Sequence, residues 1–418
     1  MAAVFSYLNH RFLGLPTSIG LMLIGLCSSL AIVALGALFP PLAQTSVALL
    51  EQVDFDRTLM EGMLGFLLFA GSLHVDLNDL LKQKRVIALL ATLGLVVSTF
   101  LVGSMVWLAL GWLGVGLPFV LCLLFGALIS PTDPIAVLSV LGSLGAPRSL
   151  TTKIAGESLF NDGVAVVMFL AILGVAGFGS AQPVGEQALA ATVLWLFALE
   201  TLGGAAFGLA AGLATYALIR SIDNHEVEIL LSLALVAGGY ALAHALHVSG
   251  PIAMVVAGLL IGNRGRRFAM SAQTRQYLDT FWGLIDEILN AVLFVLIGLE
   301  VLMVPFHGTW LLAGLLAIAI VLFARWVAVG VPVVALRPLR NFTPHAVKVM
   351  TWGGLRGGIS VALALSLKET LGAQDRSAYE GILVMTYVVV AFSILVQGLT
   401  IGPFLRRLGL TRPPARTA

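Results

Sequence analysis

The sequence predicts an all-α protein that crosses a membrane many times. Hydrophobic residues make up 59% of the 418-residue chain and charged residues 11%, whereas a soluble domain carries about 25% charged residues. The apolar residues form runs of roughly 20, the length that an α-helix needs to cross the hydrocarbon core. The chain therefore has no room for a large soluble domain, and its net charge of +2 does not indicate a nucleic-acid partner.

Twelve apolar runs predict twelve membrane-spanning helices. One of them, at 249–262, is short and begins with Ser249, Gly250 and Pro251. In chain order, the predicted helices are 17–40, 59–77, 86–113, 117–143, 151–178, 192–220, 226–247, 249–262, 281–304, 309–336, 345–367 and 380–405.

The basic residues support this division, because Lys and Arg concentrate in cytoplasmic loops. With twelve spans, 18 of the 23 Lys and Arg residues fall in one set of alternating loops and 3 in the other. Only Arg325 and Arg356 fall within spans. A miscounted helix would destroy the alternation of loops rich and poor in Lys and Arg. The pattern therefore predicts twelve spans, a cytoplasmic N-terminal segment and a short cytoplasmic tail at 406–418.

The N-terminal residues 1–8 are apolar but too short to span a membrane. They have neither the basic region nor the cleavage site of a signal peptide. We expect them to form the end of a helix whose beginning is missing.

Two predicted spans contain sequences that interrupt a helix. In the run 117–143, Pro131 and Pro134 remove backbone donors and leave carbonyls without helical partners. In the run 345–367, four glycines surround Arg356 and weaken the helix. The two runs occupy corresponding places in the two halves of the chain, which predicts an inverted repeat whose broken helices cross near the midplane.

Two carboxylates, Asp133 and Asp162, lie inside these apolar runs, where a charge costs roughly 2.5–3.5 kcal/mol or more. Ser158 and Asp162 are four residues apart and share one helix face. A monovalent cation prefers oxygen ligands, and unwound backbone supplies further carbonyls. Asp162 and Ser158, facing Thr132, Asp133 and the carbonyls near Pro131, therefore form the predicted site for Na+ or a similar ion.

A second face of the same helix carries Glu157 and Asn161. Glu157 needs a partner, because an unpaired buried charge is costly. Arg356 is the expected partner. We expect Arg325, the other basic residue inside a span, to extend to the interface or to pair with an acid.

Each candidate also has a purely structural interpretation. Asp162 can belong to an ion pair, Asp133 can cap the second half-helix, and Thr132 and Ser158 can bond to their own backbone. We expect Asn161 to support the site rather than bind the ion. Four further acids near span ends are expected at the membrane interface: Glu61, Glu200, Asp286 and Glu300.

Nothing in the sequence is typical of an enzyme or of a bound cofactor. Cys27 and Cys122 lie in apolar runs and are expected to be core residues. Zinc-ligand spacing, a phosphate-binding loop and a nucleophile elbow are all missing from the sequence. We expect a non-enzymatic membrane protein without a cofactor.

Six motifs together resemble the monovalent cation:proton antiporters of the NhaP/NHE type, the Asn-Asp branch of the sodium/proton antiporters. They extend along nearly the whole chain, and their order and intervals make the resemblance specific. The motifs are LGLP at 13–16, SPTDP at 130–134, ESLFNDG at 157–163, LFVLIGLE at 293–300, WGGLRG at 352–357 and VQGLT at 396–400.

The resemblance implies a homodimer of thirteen-helix protomers, of which this chain shows twelve helices and, in residues 1–8, the end of the first. Core-type helices would occupy about 86–178 and 309–405, and scaffold-type helices that form the dimer about 1–77 and 192–304. The core would move against the scaffold like an elevator. Transport would be electroneutral.

The resemblance also implies roles for individual residues. The ion would bind at Asp162, with Ser158 and the pair Thr132 and Asp133, and Asn161 would support it. The glutamate–arginine pair of the family maps onto Glu157 and Arg356. The chain departs from the family at Phe69, because Ala70 follows where a glutamate often stands.

We therefore expect an antiporter of the bacterial inner membrane that exchanges Na+, or Li+, for H+ by competition at Asp162. A K+/H+ antiporter is the main alternative, because the same oxygen ligands serve all three ions. A cation channel is disfavoured, since one isolated polar cluster offers no continuous pathway. An ion sensor is disfavoured by the short tail.

Overall fold

The computed structural model describes residues 1–36, 54–177, 186–304, 308–338 and 342–410, together with positions 39, 41, 45 and 48. These residues contain helices and no β-strand. The end of the first predicted span, position 178 of the fifth and residues 411–418 of the predicted tail lie outside the described residues. The predicted all-α class is confirmed.

The principal helices are numbered in chain order. They are α1 (Ala2–Leu8), α2 (Thr17–Gly36), α3 (Leu64–Leu73), α4 (Leu77–Leu89), α5 (Leu95–Trp112), α6 (Phe119–Ile129), α7 (Ile135–Ser143), α8 (Arg148–Val175), α9 (Glu186–Arg220), α10 (His225–Ala245), α11 (Gly250–Leu260), α12 (Ala272–Glu300), α13 (Gly308–Leu336), α14 (Ala346–Trp352), α15 (Gly358–Leu365), α16 (Arg376–Phe392) and α17 (Gly398–Arg407). Short helical turns also occur at Phe55–Arg57, Arg266–Phe268, Leu371–Gln374 and Val301–Met303, and π-helical turns at Asn9–Leu13, Thr58–Met63, Leu90–Gly94, Ile261–Gly265 and Ser393–Gln397.

Every predicted span coincides with helix in the described residues. Seven helical stretches there are long and apolar enough to cross a membrane, which makes this a multi-pass membrane protein. The count of twelve spans remains a prediction. The seven stretches are Thr17–Gly36, Leu77–Trp112, Arg148–Val175, Ala198–Arg220, His225–Ala245, Gly308–Leu336 and Arg376–Arg407.

Some helices begin earlier than the apolar runs that predict them. The helix α12 begins at Ala272, nine residues before the predicted start of 281, because the Ser271 side chain accepts a hydrogen bond from the Thr274 amide and caps it. Its first turns are polar, so a search for apolar runs misses them. The short α11 begins as predicted, with Ser249 as its cap and a proline in its first turn.

Two hydrophobic cores hold the helices together. The larger core surrounds the interrupted helices and includes Phe125, Phe294, Val361 and Met385. A smaller one packs Phe69 and other side chains of α3, α10 and α11 around the fully buried Trp282 of α12. The larger core excludes water from the region where the polar motifs meet.

Candidate cation-binding site

Both predicted interruptions are present, and they meet. The helix is lost between α6 and α7 and again between α14 and α15. The Asp133 amide donates a hydrogen bond of 2.8 Å to the Leu355 carbonyl, which forms an antiparallel bridge between the two interruptions. Backbone groups that a continuous helix would satisfy are therefore paired across the crossing.

Asp133 caps the second half-helix, as its structural interpretation predicted. Its Oδ1 accepts a hydrogen bond of 2.9 Å from the Ile135 amide at the start of α7. A carboxylate has about four acceptor positions, so one cap bond leaves capacity for a cation. Capping and ion binding are compatible at this residue.

Two glycines between α14 and α15 allow polar side chains to approach the backbone closely at the crossing. A Cβ at position 357 would overlap the Asp133 carboxylate. A Cβ at position 354 would lie 2.6 Å from Arg325 Nε, so a side chain there would displace the guanidinium. The glycine-rich sequence thus serves packing between polar groups as well as helix interruption.

Thr132, Ser158 and Asn161 form a buried hydrogen-bonded cluster between the first interruption and α8. Asn161 Nδ2 donates to Thr132 Oγ1 over 2.9 Å. Thr132 Oγ1 and Ser158 Oγ lie 3.0 Å apart, and either hydroxyl can donate. Each hydroxyl has two acceptor lone pairs, so both keep one for a cation when Thr132 donates to Ser158. The two hydroxyls bond to each other, and no bond from either to its own helix backbone is present in the described residues.

Asn161 also carries an unsatisfied acceptor. Its Oδ1 is buried and has no hydrogen-bond partner among the described residues. A buried polar atom of this kind costs about 1–3 kcal/mol unless an ion, a water or another group pairs with it. The amide nitrogen fixes Thr132, and the amide oxygen is an additional candidate ligand.

Asp162 is a buried acid without a partner among the described residues. It is 8% exposed, and in the part of the chain that the structure describes it forms no hydrogen bond or ion pair. The charged group that acts on it is Asp133, which repels its carboxylate. Two neighbouring acids with no base between them form a site for a positive charge.

The predicted pairing of Glu157 with Arg356 is wrong. Glu157 forms a bidentate ion pair with Arg325 of α13, in which Nη2 lies 3.0 Å from Oε2 and Nη1 contacts Oε1. Arg325 Nε also donates to the Met350 carbonyl over 3.3 Å. Both side chains are buried, so the second interpretation of Arg325, a pair for an acid, is the correct one.

Arg356 instead binds backbone at the first interruption. Its Nη1 donates to the carbonyls of Ser130 and Pro131 over 2.5 and 2.9 Å. Pro134 has no amide hydrogen for the Ser130 carbonyl, and the Ile135 amide bonds to Asp133 rather than to the Pro131 carbonyl. The guanidinium satisfies both carbonyls across the crossing. Two of the carbonyls that were expected to face the cation therefore already accept hydrogen bonds.

Two residues that support the crossing were not identified from the sequence. Ser393 Oγ accepts a hydrogen bond of 2.8 Å from the Arg356 amide, and Gln397 Nε2 donates to the Trp352 carbonyl over 2.8 Å. Both residues lie in the π-helical turn between α16 and α17. The VQGLT motif contains Gln397 and was the available signal for it, whereas Ser393 gave none.

Comparisons with known proteins agree with this architecture. Residues 1–407 match the family model described as "Sodium/hydrogen exchanger, transmembrane". The Na(+)/H(+) antiporter NhaP of Pseudomonas aeruginosa is 48% identical over 418 residues, which cover 99% of this chain and 96% of the relative. The Na(+)/H(+) antiporter NhaH of Halobacillus dabanensis is 35% identical over 397 residues, covering 94% and 92%.

A solved structure has the same fold. The sodium proton antiporter MjNhaP1 from Methanocaldococcus jannaschii at pH 8 superposes with a TM-score of 0.70 over 94% of this chain and 98% of that chain, at 19% identity. The family model matches almost the entire chain. The chain belongs to the sodium/hydrogen exchanger family of membrane proteins.

Proposed function

We propose that the protein is a secondary active antiporter that exchanges Na+ for H+ across a bacterial plasma membrane. The family and the names of its relatives support this activity. The observation that supports the mechanism is the buried, unpaired carboxylate of Asp162. It follows Ser158 by one helical turn, and the Ser158 hydroxyl bonds to that of Thr132.

The charges at the crossing favour a one-for-one exchange. Three carboxylates, Asp133, Glu157 and Asp162, accompany two guanidinium groups, Arg325 and Arg356. One negative charge is left over. A buried charge is costly without compensation, and either one Na+ or one proton neutralises it. We infer that transport is electroneutral because the site is neutral with either ion.

The proposed ligands are Asp162, Asp133, Ser158 and Thr132. Asn161 fixes the Thr132 hydroxyl and offers its own Oδ1. The supporting charges act at a distance from the ion: Glu157 joins α8 to α13 through Arg325, and Arg356 holds the first interruption in place.

Competition at Asp162 couples the two fluxes. A proton on the carboxylate removes its charge, and a bound Na+ compensates it, so the two states exclude each other. Movement of the core-type helices (about 86–178 and 309–405) against the scaffold-type helices (about 1–77 and 192–304) would be favourable only when the site is neutral. The scaffold would form a homodimer, and the C-terminus would lie in the cytoplasm.

Everted membrane vesicles with a pH-sensitive dye test the activity. After energisation, we expect Na+ to collapse the pH gradient in vesicles with the wild-type protein and not in vesicles with Asp162→Asn. Asp79→Asn is a suitable control, because Asp79 pairs with Lys82 on an exposed surface. Li+ and K+ are added in parallel. No response to Na+, or an equal response from Asp162→Asn, would contradict the proposal, and a response to K+ alone would assign the exchange to K+.

A further inference from the structure

A large cavity lies at the C-terminal end of α8. Its volume is about 1530 Å³, and its wall includes the ends of several helices. Val166 and Val167 of α8 form part of this wall. Val166 lies one helical turn beyond Asp162, so the cavity extends to within a turn of the proposed ion site. The positive-inside pattern places it on the extracytoplasmic side.

α11 separates this cavity from Asp162. A Cβ on Gly163 would lie 2.6 Å from Ile252 Cγ1, so α8 and α11 are in close contact beside the acid. Pro251 of α11 lines the cavity. An ion that leaves Asp162 towards this side must pass the contact and then enter the cavity.

The cavity is lined by more acids than bases. Its permanently positive residues are Arg57 and Lys368, and two histidines also line it. Clefts lined by one sign of charge concentrate ions of the opposite sign. The acidic lining residues are Asp54, Asp56, Glu61, Glu200, Glu300 and Glu369.

Glu300 differs from the other acids because it is buried. It is the last residue of α12 and is 5% exposed, although it was expected at the interface. Within the described ranges it has no hydrogen bond and no ion pair; the charges that act on it are Lys368 and Asp56. Glu61, by contrast, is 63% exposed and pairs with Arg57 over 3.2 Å.

A buried hydroxyl near Glu300 is also unsatisfied. Tyr387 Oη of α16 has no hydrogen-bond partner in the described part of the chain, and it lies within the electrostatic influence of Glu300. A carboxylate and a hydroxyl that are both buried and unpaired are each expected to pair with a bound ion or water, because leaving them without a partner is costly. Both groups supply the oxygen ligands that a monovalent cation prefers.

We propose that Glu300 forms a second site for the transported cation, in the extracytoplasmic cavity and in series with Asp162. Lys368 and Asp56, whose charges act on Glu300, tune the charge of this site, and the Tyr387 hydroxyl contributes an oxygen directly or through water. The inference rests on the proposed antiport and adds a place where the cation is held after release from Asp162 or before entry to it.

The test compares the two sides of the membrane. Exchange is measured in right-side-out and everted vesicles while Na+ is varied on the outer surface only. For Glu300→Gln we expect the half-saturating Na+ concentration to rise about tenfold on the cavity side and to change less than about twofold on the opposite side. Glu61→Gln is the matched control, with less than about a twofold change on either side, because an exposed pair contributes little.

Two results would overturn the inference. An unchanged half-saturation on the cavity side excludes a role for Glu300 in binding. An equal shift on both sides indicates a general structural defect. Asp162→Asn, measured in parallel, separates these results from failure of the proposed function itself, because continued exchange by that variant would overturn the antiport scheme on which the second site depends.

A direct readout is independent of transport rates. In crystals of the wild-type protein soaked with Tl+, we expect anomalous density beside the Glu300 carboxylate, and we expect Glu300→Gln to lose this density while keeping the density at Asp162. Density at Asp162 alone in the wild-type crystals would contradict the second site.

Discussion

The two acids of α8, Glu157 and Asp162, have opposite surroundings although they are little more than one turn apart. Glu157 is 1% exposed and receives both guanidinium nitrogens of Arg325. Asp162 is 8% exposed and forms no ion pair in the part of the chain that the structure describes. Glu157 is neutralised by an arginine of the fold, whereas Asp162 is neutralised by Na+ or a proton in the proposed mechanism.

The two buried arginines also differ in what their guanidinium groups bind. Arg325 pairs with an acid and joins α8 to α13, whereas Arg356 satisfies backbone carbonyls of the first interruption. Neither guanidinium bonds to Asp162. In the proposed mechanism, the positive partner of Asp162 is therefore an ion from solution.

The largest expected effect is loss of exchange in Asp162→Asn. The amide cannot release a proton or carry the charge that binds Na+, so we expect activity to fall by at least about 100-fold, equivalent to about 2.7 kcal/mol. Removing an unpaired buried charge relieves repulsion from Asp133, so the thermal midpoint in detergent should stay the same or rise. A folded variant with more than a tenth of wild-type exchange would contradict this assignment.

Glu157→Gln should mainly reduce stability, in contrast to Asp162→Asn. It leaves Arg325 as an unpaired buried charge, and breaking a buried pair in this way costs about 3–5 kcal/mol. We expect the thermal midpoint of the purified protein to fall clearly.

The double variant Glu157→Leu with Arg325→Met provides the control for this pair. It removes both charges and should recover most of the lost stability. If the double variant is as unstable as the sum of the single variants, the two side chains do not act as a pair.

A smaller effect is expected from Thr132→Val, which keeps the shape of the side chain and removes its oxygen. The variant loses a proposed ligand and the acceptor of the Asn161 amide. We expect the half-saturating Na+ concentration to rise about tenfold, with the maximal rate less affected.

The matched control is Ser143→Ala, which removes an exposed hydroxyl at the end of α7 that bonds only to the Val140 carbonyl. It should leave the half-saturating Na+ concentration unchanged. Equal values for Thr132→Val and the wild type would remove Thr132 from the proposed ligands.

The smallest effect is expected from Ser393→Ala. The change removes the acceptor of the Arg356 amide at the second interruption. A buried amide left without a partner costs about 1–3 kcal/mol, so the thermal midpoint should fall modestly while Na+ affinity stays close to that of the wild type. A selective loss of affinity without loss of stability would instead place Ser393 in the ion path.

The sequence was sufficient for the features that depend on local chemistry. Apolar runs located the helices, and the prolines at 131 and 134 located the first interruption, because both effects act within a few residues. The proximity of Thr132 and Ser158 was also predictable, because Ser158 shares a helix face with Asp162 and that face was expected to meet Thr132.

The partners of the arginines were not predictable in the same way. Which guanidinium reaches Glu157 depends on how α13 is placed relative to α8. Gly354 lies against Arg325, but a glycine in the sequence does not indicate which side chain will pack against it. The burial of Glu300 was missed for a related reason: proximity to the end of a predicted span does not reveal what packs over it.

The most direct test of the account is proton release on cation binding. Purified protein in weakly buffered detergent solution is titrated with Na+ while the pH is recorded, at several pH values through the active range. Competition at Asp162 predicts release approaching one proton per protomer at the lower pH values, with Na+ affinity weakening about tenfold per pH unit there, and no release from Asp162→Asn. Saturable Na+ binding with a pH-independent affinity and no proton release would contradict the shared site.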